Sequence, residues 1–158
     1  AFREAVPGRR IVHVASHGYF PSDSCDGRPD DPLLASGLVF RDGVWPAREV
    51  GMSALRDADL VVLSACSTGN GEVQPGEGVM GLRRGFSAAG AGTLVMSLWS
   101  VDDLATGELM TWFYEALIDD AQPPPEALRT AQLKALEFGR QKGDAWPGTW
   151  GAFIVAGR

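Results

Sequence analysis

Apolar residues along this chain fall into two alternating kinds of run. Short stretches rich in Val, Ile and Leu, bounded by turn residues, read as buried strands: Ile11-Val12-His13-Val14-Ala15, Leu60-Val61-Val62-Leu63 and Thr93 to Leu98. Between and after them, apolar positions recur at helical spacing. Val79, Leu82, Phe86 and Ala89 form one such set, Leu109, Met110, Phe113, Tyr114 and Leu117 a second, and Leu128, Ala131, Ala135 and Leu136 a third. The order expected is a strand over 9–16, a polar loop over 18–31, a small hairpin, a helix over 47–56 and a strand over 59–65. A Gly-rich loop over 67–76, a helix from residue 77, a strand over 93–98, two more helices and a closing strand over 150–156 complete it.

Punctuating residues sharpen several of these boundaries. Asp42-Gly43, between Leu38–Arg41 and Val44-Trp45, suits a type I′ hairpin turn because Gly tolerates positive φ. Gly90 and Gly92 stop the helix that begins at Glu77. Asp102 or Asp103 caps the next helix, and Pro125 suits the first turn of the one after it. Strands alternating with helices predict an α/β sandwich, with helices on both faces of a mainly parallel sheet. The loop over 67–76 has few apolar anchors to offset ordering entropy, so it is expected to be mobile and to gate the site.

Composition narrows the function. A chain of 158 residues fits one domain. With 14 Lys and Arg against 20 Asp and Glu, and a net charge of -6, it lacks the basic footprint that phosphate neutralisation requires. Arg9-Arg10 and Arg83-Arg84 read as solvated surface, so no nucleic-acid contact is expected. No apolar run approaches the roughly 20 residues of a membrane helix, and the opening residues carry no signal-peptide pattern. A soluble cytoplasmic protein is the expectation. The two cysteines and two histidines support neither a disulfide framework nor a zinc site.

Candidate chemistry lies where the two strongest strands end. Cys66, in Ser64-Ala65-Cys66-Ser67-Thr68-Gly69, and His17, followed by Gly18, each come directly after an apolar run. Open α/β sheets hold their ligands at strand ends. A thiol of pKa about 8.5 is mostly protonated at neutral pH, so a nucleophilic cysteine needs an imidazole to take its proton. His17 is the credible base. His13, four residues earlier and flanked by Val12 and Val14, reads as a satisfied core histidine. Cys25 lies in the polar segment Ser22-Asp23-Ser24-Cys25-Asp26-Gly27, where the carboxylates discourage thiolate formation, and reads as a bystander.

Ordered agreement along nearly the whole chain then resembles one family. The pieces are His13-Val14-Ala15-Ser16-His17-Gly18, Leu33 to Phe40, Leu60 to Gly69 with Cys66, Gly76 to Leu82 and Phe86 to Ala91. They continue through Ser97-Leu98-Trp99-Ser100-Val101-Asp102-Asp103, Met110 to Tyr114 and Trp150-Gly151-Ala152-Phe153. The chain is similar to the CHAT domain, a caspase-like and separase-like group of clan CD cysteine peptidases. A nucleophilic Cys with a His about 50 residues upstream is the caspase arrangement.

The resemblance implies an α/β fold of the caspase-like three-layer sandwich type with a small β-hairpin insertion. It implies a cysteine endopeptidase that cleaves a protein or peptide substrate without a cofactor. Cys66 would attack, His17 would shuttle the proton, and the backbone amides of Gly18 and Cys66 would hold the oxyanion. Gly18 also has a plainer reading as a turn glycine. Trp99, Asp102 and Asp103 are candidates for the substrate pocket, with a carboxylate facing a basic P1 residue. Core filling by Trp99 and helix capping by either Asp are the alternatives. The family's domain has further strand and helix before the His strand, so residues 1–158 are expected to be one CHAT domain lacking its N-terminal part. Helical repeats often precede such domains, which suggests a repeat region or partner as regulator. The rival function is a catalytically silent scaffold of the same fold.

Overall fold

The computed structural model describes residues 2–19, 36–67 and 77–157, with backbone alone at 19, 65–67 and 77–79. The expected loop over the His, the setting of Cys25, the Leu33-Leu34-Ala35 piece and the gating segment 68–76 lie outside the described residues.

Six strands form one sheet: β1 (Ile11–Tyr19), β2 (Gly37–Phe40), β3 (Gly43–Pro46), β4 (Leu60–Ser67), β5 (Thr93–Ser97) and β6 (Phe153–Gly157). Their spatial order is β3-β2-β1-β4-β5-β6. β1, β4 and β5 are parallel neighbours at the centre. β2, β3 and β6 pair antiparallel at the edges. The sheet is therefore mixed, and the mainly parallel expectation describes only its middle. Leu60 to Leu63 and Leu94 to Met96 are buried on both faces, which accounts for their unbroken apolar runs.

Helices cover both faces. On one side Val12, Val14, Val61, Leu63, Leu94 and Met96 pack with Val50 of α2 (Ala47–Gly51) and with Leu82 and Phe86 of α3 (Glu77–Ala88). The short helix α1 (Phe2–Ala5) adds Phe2 to this core. On the other side Leu60, Val62 and Val95 meet Leu109, Met110 and Phe113 of α4 (Asp103–Tyr114) and Ala127, Leu128 and Ala131 of α5 (Pro124–Lys142). A π-helical turn (Glu115–Asp119) extends α4, and α6 (Pro147–Trp150) leads into β6.

Four boundaries depart from the sequence reading. β1 runs on through His17 and Gly18 to Tyr19, because β2 supplies a second ladder there: His17 pairs with Val39, Gly18 with Leu38 and Tyr19 with Gly37. The hairpin forms, but Arg41 and Asp42 are its two turn residues and only Gly43 has positive φ, at 129°; a type I′ turn would need both central residues there. The helix expected over 47–56 ends at Gly51, and Leu55 instead donates its N–H to Ala89 O at the end of α3. The closing strand begins at Phe153, since Pro147 starts a helical turn that runs through Trp150.

Candidate active site

Position 17 is brought to position 66 by register. Along β1 and β4 the parallel ladder runs from Ile11 with Leu60 to Gly18 with Ser67, and His17 is the Cα partner of Cys66. Cross-strand partners share a face, and neighbouring strands are about 4.8 Å apart. The shared face is that of Val62 and Val95, the one covered further along by α4 and α5. His17 is exposed there and Gly18 is buried. Gly18 lies between Leu38 on β2 and Ser67 on β4, with its φ outside the positive range, so it is a strand residue and not a turn glycine.

His13 is not a core histidine. Val12 and Val14 point to the opposite face, so their burial says nothing of the residue between them. On its own face α4 and α5 pack over β4, β5 and β6, leaving His13 exposed and Ile11 45% exposed. The His13 ring meets Tyr114, whose hydroxyl lies 2.9 Å from Nδ1. Partial burial holds the imidazole pKa below its usual value and pushes the Tyr114 hydroxyl up to about 12. A shallow groove of about 440 Å³ runs along α4 and the π-helical turn from Gly107 to Asp119, with Met110, Thr111, Tyr114 and Ile118 among its lining residues.

Asp102 is the N-cap of α4, its Oδ1 accepting from Leu104 N at 2.9 Å and Ala105 N at 3.0 Å. Asp103 is the first helical residue and is exposed. Trp99, 44% exposed, does not fill the core; its Nε1 donates to Gly148 O at 2.9 Å. Gly148 and Trp146 were not singled out from the sequence. The one local signal was an indole placed directly before Pro147-Gly148, where an exposed turn is expected.

A mixed sheet between two helical layers, with His and Cys level on adjacent parallel strands, defines a caspase-like α/β sandwich. The chain belongs to the CHAT domain family, whose sequence profile matches residues 1–158 throughout. It is similar to Tetratricopeptide repeat protein 28 of mouse (Mus musculus), with 30% identity over 121 residues. That match covers 71% of this chain and 5% of the relative's length. Among the described residues, no helix is long and apolar enough to cross a membrane.

Proposed function

We propose that the chain is a cysteine endopeptidase that cleaves a protein partner by acyl transfer. Cys66 is the nucleophile and His17 the base that takes its proton and returns it to the leaving amine. The observation that carries this reading is the His17–Cys66 pairing in the β1–β4 ladder, which puts the two positions one strand spacing apart. The amide of Cys66 is one oxyanion donor in this proposal. Gly18 N–H is the second, and since Gly18 has strands on both sides it donates only where the ladder opens at its end.

Regulation by a helical-repeat region or partner belongs to the same proposal. The mouse relative is named for tetratricopeptide repeats, which are helical pairs. A cytoplasmic site of action and a protein or peptide substrate complete it. Incubating a peptide library with the wild type, Cys66→Ala and His17→Ala tests the reading. New cleavage by the wild type alone supports it, and equal results for all three favour the silent scaffold.

A further inference from the structure

The β4–β5 ladder ends three residues short of the His17–Cys66 level, and its register shows what stands beside that level. β4 and β5 keep one parallel register from Leu60 with Thr93 to Leu63 with Met96. Carried three positions further, that register brings Cys66 level with Trp99. On the far side β6 pairs Phe153 with Ser97, and Leu98 N–H donates to Ala152 O at 2.8 Å. The turn after α6 therefore reaches the same level from the other edge. By this count Trp99 and Gly151, just outside β5 and β6, fall at the same end of the sheet as His17 and Cys66.

Trp99 is held there although its ring is open to solvent. Its Nε1–H is tied to Gly148 O, and Gly148 is pressed from another direction by a second indole. A Cβ on Gly148 would lie 2.0 Å from Trp146 Nε1 and 2.7 Å from its Cδ1, so Trp146 rests directly against the glycine backbone. Trp146 is itself 68% exposed. Two solvent-facing indoles thus share one glycine as their bracket. Exposed indole faces are strong anchors for recognition.

We propose that Trp99, Gly148 and Trp146 form an aromatic wall of the substrate groove that selects an apolar side chain near the bond attacked by Cys66. This inference rests on the endopeptidase reading. An extended substrate advances about 3.3 Å per residue and neighbouring strands are about 4.8 Å apart, so a wall starting one strand from Cys66 meets a residue about one to three positions from the scissile bond. The two indoles contact the substrate. Gly148 is a positioning residue: any side chain there displaces Trp146.

The test is cleavage-site profiling on a proteome-derived peptide library with the full chain, using wild type, W146A, W146F and G148A, with Cys66→Ala as the blank and a thermal melt of each. The wild type is expected to enrich an apolar residue at one position near the cut. W146A and G148A are expected to reduce that enrichment about tenfold, within the range an apolar side chain in a pocket commands, with W146F losing less. W146F carries the test if W146A fails to fold, since a phenyl ring keeps an aromatic face while giving up part of the contact. Wild-type cleavage with identical profiles in all the variants overturns the wall and leaves the Cys66–His17 reading standing. A library left as intact by the wild type as by Cys66→Ala overturns both.

Discussion

His17 and Cys66 are Cα partners in the parallel ladder between β1 and β4. Both lie near one end of the central parallel strands, His17 laddered on two sides, with Val39 and with Cys66, and Cys66 laddered to β1. Sites built on such elements hold their geometry better than sites built on loops. Shifting β4 by one residue would move position 66 to the opposite face, because side chains alternate with period two. The apolar runs at Leu60 to Leu63 and Val12 to Val14 therefore secure the pairing as well as the core.

Cys66→Ala is expected to reduce cleavage to the level of buffer while leaving the melting temperature within about 2 °C of wild type, as for a small change worth under 0.5 kcal/mol. His17→Ala is expected to match it, since nucleophile and base act as a unit. A limiting thiol alkylator is expected to modify Cys66 before Cys25. Mass spectrometry showing the reverse order would count against Cys66 as the activated thiol.

Asp102 and Asp103 separate capping from substrate recognition. Asp102→Ala removes the acceptor for Leu104 N–H and Ala105 N–H, and is expected to cost about 0.5 to 2 kcal/mol of stability with an unchanged P1 profile. Asp103→Asn keeps the shape of the first turn. If Asp103 faces a basic P1 residue, this variant shifts the profile away from Lys and Arg at nearly unchanged stability. Melting curves and P1 profiles of the two variants check both expectations.

Partial burial of His13 and Tyr114 makes stability depend on pH at both ends of the scale. His13 has a lowered pKa in the folded state, so the unfolded chain binds the proton more readily. Its contribution is complete above about pH 6.5, the ordinary value, and declines as pH falls below it. Tyr114 is raised to about 12, so its contribution is present below pH 10 and is lost as pH rises from 10 towards 12. Denaturant midpoints of wild type and Tyr114→Phe between pH 5 and pH 11 measure this. The variant keeps the ring, and its alkaline decline should be smaller.

The two cores are expected to respond separately. Phe86→Ala on one face and Phe113→Ala on the other, both fully buried, are each expected to cost about 3 to 5 kcal/mol. Leu133→Ala, at an exposed position of α5, is expected to stay within about 0.5 kcal/mol of wild type. Urea denaturation of the three variants is the measurement. A small loss at Phe113 would mean that α4 is not packed on the sheet.

By itself the sequence determined what local chemistry and periodicity can carry. Run length and β-branching marked β1, β4 and β5, helical spacing marked α3, α4 and α5, and the Asp102-Asp103 pair marked where α4 begins. These features also pointed to His17 and Cys66, since each follows an apolar run. Tertiary structure alone decided the rest. The extension of β1 to Tyr19 depends on β2 pairing beside it, and the antiparallel edges depend on how β2, β3 and β6 return to the sheet. His13 looked buried because its sequence neighbours are, whereas its own face is set by which strands α4 and α5 cover. The approach of Trp146 and Trp99 to Gly148 joins segments almost fifty residues apart. Periodicity reports a residue's side of its own element; what stands opposite is fixed only when distant elements pack.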